Sequence, residues 1–167
     1  RSVIVFTVVI EILGAIAFFI AFKMAGVETG FAVWSSIFHS ISSFCTAGFG
    51  LYNNSFESFA DNTFINVIIS VLSIAGALGF IVVLDVWQRF RGLRDKLTYT
   101  TKVICWVFFL VVLFGTLIIF FFEPSVAGMG LYDRAWVSFF QSMSAITTVG
   151  FNNIPMGVLS VPVVLAL

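Results

Sequence analysis

Charge is scarce in this chain of 167 residues: eight Lys or Arg and eight Asp or Glu make up 10% of it, and the formal net charge is zero. A balance like that carries no electrostatic footprint for nucleic acid or for acidic partners. Cysteine is nearly absent. Cys45 and Cys105 stand apart, one in a glycine-containing segment and one inside an apolar run, which fits neither a disulfide framework nor a zinc site. The single histidine, His39, excludes haem or metal chemistry that needs several imidazoles. No cleavable signal pattern opens the chain. It starts at Arg1 and stops inside an apolar run, and we read it as an internal piece of a longer protein. What the chain does have is apolar residues: 60% are hydrophobic and the mean hydropathy is +1.14. That composition defines an all-α membrane protein.

A repeat organises it. Phe38-His-Ser-Ile-Ser-Ser-Phe-Cys-Thr-Ala-Gly-Phe49 returns 102 positions later as Phe140-Gln-Ser-Met-Ser-Ala-Ile-Thr-Thr-Val-Gly-Phe151. In this ungapped register Phe38/Phe140, Ser40/Ser142, Ser42/Ser144, Thr46/Thr148, Gly48/Gly150 and Phe49/Phe151 coincide. Trp34/Trp136 and Ser36/Ser138 extend it, giving 8 identities in 16 positions. A fixed-period repeat speaks to architecture before any motif is named. Each copy predicts a short serine- and aromatic-rich helix that runs into a Thr-x-Gly-Phe segment.

Taken in order, residues 1–87 form one unit and residues 103–167 a second, truncated one. The first holds a span over 3–22, a pore helix over 31–44, a filter segment over 45–50 and a span over 63–87. The second holds a span over 103–122, a pore helix over 134–146, a filter segment over 147–152 and the start of a span over 154–167. Twenty apolar residues cross ~30 Å of hydrocarbon, whereas a 14-residue helix at ~1.5 Å per residue does not. The short helices are therefore expected to end inside the membrane. Glu123-Pro124 stops the third span, because proline cannot continue the helix.

Residues 88–102 between the units carry Arg89, Arg91, Arg94, Lys96 and Lys102, five of the eight basic residues. The positive-inside bias makes this loop cytoplasmic. The outward loops then hold Glu28, Glu57, Asp61, Glu123 and Asp133. Basic inside and acidic outside is what a cation entrance shows, and it is also what ordinary topology bias shows.

Irregular backbone at membrane depth exists only where protein buries it or where it lines a watery cavity. Thr46, Ala47, Gly48 and Phe49, with Thr148, Val149, Gly150 and Phe151, are the candidate ion ligands, mainly through their backbone carbonyls. The carbonyl ends of the short helices, at Phe44 and Ile146, would point toward the same centre with partial negative charge. Other residues carry two readings each. Glu11 lies mid-span, tuning an ion path or bonding a neighbour. Gly76 and Gly79 read as close helix packing or as a gating hinge. His39 reads as a pH sensor or as a packing residue bonded to a neighbour. The basic loop docks a cytoplasmic subunit or anionic lipid, or only signals topology. Trp34 and Trp136 suit an interfacial aromatic belt.

The unit of span, pore helix, glycine-containing filter and span resembles one repeat of the Trk/Ktr/HKT potassium transporters, whose chains carry four such repeats. Residues 38–49 are similar to the second repeat and residues 142–152 to the third. Gly76-Ala-Leu-Gly-Phe80 with Asp85, and Leu97-Thr-Tyr-Thr-Thr-Lys-Val103, are similar to the stretch after the second repeat of that family, most closely in the Ktr branch. The third repeat of Ktr proteins often has a basic residue near the position of Thr147, which leaves Ktr against Trk open. The resemblance implies a multi-pass protein of the cell membrane that takes up potassium through a carbonyl-lined filter. It implies no enzyme activity and no bound cofactor, potassium being the substrate. Its partners would be the lipid bilayer, the first and fourth repeats of the same chain, a second copy in a homodimer and a cytoplasmic ring of nucleotide-binding regulatory subunits. A sodium-conducting or sodium-coupled (symport) member of the family is the first alternative. A membrane anchor of a redox or assembly complex is the second, and with one histidine it lacks ligands.

Overall fold

The computed structural model describes residues 2–155, 160 and 163. The span expected from 154 onward therefore lies almost wholly outside the described residues. The described chain is helical: α1 (Ser2–Met24), α2 (Thr29–Phe44), α3 (Thr63–Phe90), α4 (Tyr99–Phe122) and α5 (Leu131–Ile146). Single 3-10 turns at Glu57–Phe59 and Pro124–Val126 interrupt the connections. α1, α3 and α4 are each long and apolar enough to cross a membrane. Their outward faces, among them Ile4, Ile12 and Ile16 on α1 and Trp106, Phe109 and Phe114 on α4, carry exposed apolar side chains. Such a surface is stable against lipid, not water.

α2 and α5 differ in kind. Both have 16 residues, and what they bury is largely serine: Ser35, Ser36, Ser40, Ser42 and Ser43 in α2, with Ser138, Ser142 and Ser144 in α5. α1 packs chiefly on α2 and α4 on α5, and α3 touches all four other helices. The pairing is bonded alike in both units. Ser40 Oγ donates to the Glu11 carbonyl of α1 at 2.7 Å, and its counterpart Ser142 Oγ donates to the Val112 carbonyl of α4 at 2.9 Å. A hydroxyl is small enough to sit where two helices touch, and between apolar helices it supplies a polar link that leucine cannot.

Local chemistry sets the helix ends. Glu28 caps α2 by accepting from the Gly30 and Phe31 N–H groups, and those two bonds hold its carboxyl below the usual carboxylate range. Arg134 on α5 donates to the Phe120 carbonyl in the last turn of α4, with its guanidinium 4.5 Å from the Phe120 ring centre. Asp85 of α3 accepts from Arg94, from the Thr98 N–H and from the Thr98 hydroxyl, at 2.9–3.0 Å. Three donors on one carboxylate close the basic loop between α3 and α4 into a fixed turn.

The two glycines of α3 behave differently. A methyl group built on Gly76 would overlap the Phe44 carbonyl oxygen at the end of α2, so Gly76 is a packing glycine. Gly79 has open space, and its φ of 77° and ψ of 161° break the helix there. Only glycine occupies that region readily, so the packing reading fails for Gly79. Replacing Gly76 by alanine is expected to destabilise the full-length protein by about 1–3 kcal/mol, because the overlap is with backbone and no side chain can rotate away. Thermal unfolding in detergent measures it, and an unchanged midpoint would show that α2 and α3 do not touch there.

Candidate functional site: two Thr-x-Gly-Phe segments in contact

Each short helix runs out into the same backbone path. After α2 the Cys45 N–H bonds Ile41 O and the Thr46 N–H bonds Ser43 O; after α5 the Thr147 N–H bonds Met143 O and the Thr148 N–H bonds Ala145 O. These are the same bonds, 102 residues apart. Beyond them Thr46 has φ 50° and Gly48 φ 69°, while Thr148 has φ 59° and Gly150 φ 73°. Positive φ at a β-branched residue is a genuine outlier, and each costs on the order of 1–3 kcal/mol. Among the described residues the only non-glycine residues with positive φ are Thr46, Thr148 and Ser55. Strain repeated at register-equivalent positions is a property of the segment, not a local accident.

The far ends of the segments are anchored to their own short helices. Ser42 Oγ donates to the Phe49 carbonyl at 2.7 Å, and Ser144 Oγ donates to the Phe151 carbonyl. The Phe49 and Phe151 carbonyls are thus turned toward serines. The carbonyls of Thr46, Ala47, Gly48, Thr148, Val149 and Gly150 accept from no donor among the described residues. Of the six residues only Val149 is buried; Ala47, Thr148 and Gly150 are exposed and Thr46 and Gly48 half-buried, so these carbonyls lie where water or an ion can reach them.

The two segments meet. A methyl group built on Gly48 would overlap the Val149 carbonyl oxygen and lie 3.6 Å from Gly150 Cα. Of the eight candidate ligands, the structure therefore brings the Gly48 backbone against Val149 and Gly150. Phe49 is 71% exposed, and Phe151 is buried in the core with Phe18, Phe22, Phe56 and Phe140.

A link between the units lies beside this contact, and nothing in the sequence signals it. The Phe56 N–H donates to the Asn152 carbonyl at 3.1 Å and the Asn152 N–H donates to Ser55 Oγ at 3.2 Å. Asn152 Nδ2 donates to Glu57 Oε1 at 2.9 Å. Positive φ at Ser55 belongs to this clasp. Asp61 and Asp133 line one cavity of about 220 Å³ with Trp136 and Ile154, so acids from both units share one side of the molecule.

Glu11, mid-helix in α1, places its carboxylate near Cys45 Sγ, with 3.9 Å between them. That carboxylate accepts from no serine and no backbone N–H among the described residues; Ser40 bonds the Glu11 backbone carbonyl instead. Both cysteines are free. Among the described residues no three His, Cys, Asp or Glu side chains come together.

Two paired units of span and short helix, with strained segments meeting between them, define a repeated helical membrane protein of the pore-loop kind. The chain belongs to the TrkH family of cation transport proteins, whose model matches residues 1–166. It is similar to the Ktr system potassium uptake protein B of Vibrio alginolyticus, at 32% identity over 172 residues, 99% of this chain and 37% of that protein. The potassium/sodium uptake protein NtpJ of Enterococcus hirae is 35% identical over 156 residues, 89% of this chain and 33% of that protein. Ktr system potassium uptake protein B of Bacillus subtilis is 32% identical over 130 residues, 75% of this chain and 28% of that protein. The chain spans about a third of the length of these relatives.

Proposed function

We propose that this chain is part of a potassium uptake subunit that conducts dehydrated monovalent cations along the Thr46–Phe49 and Thr148–Phe151 segments. One observation carries the reading: two register-equivalent segments, strained in the same way, whose Thr, x and Gly carbonyls no donor of the described chain uses. Positive φ at every second residue lets successive carbonyls face one side, and such a row replaces the water shell of a cation. Serines already occupy one lone pair of the Phe49 and Phe151 carbonyls, so the Thr46, Ala47, Gly48, Thr148, Val149 and Gly150 carbonyls are the freer ligands of the eight, and the remaining half of the pore comes from two further repeats. No bound cofactor and no covalent step enters.

In the membrane the basic loop 88–102 faces the cytoplasm and the acids Glu57, Asp61 and Asp133 face outward, where they raise the local cation concentration. Arg89, Arg91, Lys96 and Lys102 are exposed and Arg94 is held by Asp85, a surface suited to a nucleotide-binding ring beneath a homodimer. Sodium conduction is the second reading, favoured by the name of the Enterococcus hirae relative. Rubidium uptake by the full-length protein in a potassium-uptake-deficient host, competed by potassium or by sodium, tests both. Stronger competition by potassium supports the first reading and stronger competition by sodium the second. Absence of protein-dependent uptake would sink the two together.

A further inference from the structure

In the 102-residue register His39 falls on Gln141 and Leu51 on Asn153, pairs that share no identity. The structure nevertheless places a hydrogen bond at both pairs, with the helix side chain accepting in the first unit and donating in the second. The His39 ring is fully buried on α2, with Nδ1 2.7 Å from the Ser35 carbonyl oxygen. A carbonyl only accepts, so Nδ1 carries the proton and Nε2 is left as an acceptor. Nε2 takes the Leu51 N–H at 3.2 Å. On α5 the buried Gln141 Nε2 donates to Asn153 Oδ1, also at 3.2 Å. Each short helix thus bonds the end of its own segment and the residue two beyond it, the second bond reaching backbone at Leu51 and a side chain at Asn153. The serine three residues further along the helix binds the carbonyl just after the filter glycine, and the histidine or glutamine binds the residue two beyond that.

The His39 ring is also wedged between the units. It stacks on Tyr52 with ring centres 5.4 Å apart and 18° between planes, and it meets the Phe56 edge at 4.9 Å. Phe56 packs against Phe151 at 5.0 Å, and its N–H binds the Asn152 carbonyl. A shift of the His39 ring therefore moves the end of its own filter and, through Phe56, the end of the other.

We propose that His39 and Gln141 are positioning residues for ion selection, setting where the outer ends of the two filter segments stand. The inference rests on the reading of those segments as a cation path. Carbonyl ligands discriminate ions by their number and by the field they set up, so displacing one end of a segment changes the preference without removing a ligand. A histidine that served the core alone would offer no acceptor to the filter backbone, and the glutamine in its place on the other unit would be free to point elsewhere.

Full-length H39L, H39Q and Q141L variants, assayed for rubidium uptake per folded protein with potassium and sodium as competitors, test this. H39L and Q141L remove a single tethering bond each, and the potassium-over-sodium preference is expected to fall about three- to tenfold. H39Q keeps an oxygen that can reach the Leu51 N–H, so it is expected to stay within about twofold of the parent. Folded H39L or Q141L with the parental preference overturns the proposal. So does loss of folding in both leucine variants, since that makes the pair structural, and so does an H39Q that discriminates as poorly as H39L. A G150S control separates the two levels. If G150S changes the preference and the tether variants do not, only the inference falls; if G150S changes nothing, the filter reading falls first.

Discussion

Serine in place of Gly48 is expected to abolish most potassium-selective uptake by the full-length protein, and serine in place of Gly150 to weaken selectivity while leaving more uptake intact. Both glycines sit at positive φ, so either serine meets a dihedral penalty of roughly 1–2 kcal/mol. They differ in what surrounds them. A side chain at Gly48 collides with the Val149 backbone of the other segment, whereas Gly150 has nothing within 4 Å of the added carbon. G48S must therefore push the two segments apart, and G150S only bends one of them while adding a competing hydroxyl. Gly26 supplies the control, since it has φ 80° and open space but lies in the turn after α1. G26S carries the same dihedral strain and is expected to cost stability without touching ion preference. Rubidium uptake with competing cations, normalised to folded protein, measures all three. A G26S protein that loses selectivity as G150S does would mean that destabilisation alone moves the readout. A G48S protein with parental selectivity would remove Gly48 from the ion path.

The long apolar runs made α1, α3 and α4 legible, because nothing but helix satisfies the backbone of a segment that crosses lipid. The short helices could be read from their length and their serines. The 102-residue register located the strained segments, since Thr46/Thr148 and Gly48/Gly150 are identical in type and share positive φ. Where identity stops, reading stops: His39/Gln141 and Leu51/Asn153 are bonded at matching positions through different groups, and no pattern of letters announces it. The clasp from Asn152 to Ser55 and Glu57 joins residues 95 to 97 positions apart in loops, where no periodicity exists to mark a partner. The break at Gly79 was ambiguous for a different reason. One glycine in an apolar helix is equally consistent with packing and with a kink, and only its dihedrals decide. The engagement of the Phe49 and Phe151 carbonyls by serines was hidden as well, although Ser42/Ser144 stood in the repeat. The sequence shows that a hydroxyl is present but not which oxygen it faces.

Those serines give the last expectation. Ser42→Ala and Ser144→Ala remove matching bonds, yet their costs are expected to differ. Ser144 and Phe151 are both buried, so deleting the hydroxyl strands the Phe151 carbonyl without water, a loss of about 1–3 kcal/mol. Phe49 is 71% exposed, and water can replace Ser42 at its carbonyl, which limits the loss to about 0.5–1.5 kcal/mol. The functional effects are expected to run in the same order. A freed carbonyl at the end of a filter can rotate toward the path and add a ligand with its own field, so S144A should shift the potassium-over-sodium preference more than S42A does. Thermal unfolding in detergent reads the first effect and competed rubidium uptake the second. Equal losses in both variants would show that the Phe49 carbonyl is as enclosed in the full-length protein as that of Phe151. A larger loss in S42A would place the more constrained filter end in the first unit and reverse the assignment of which segment is the rigid one.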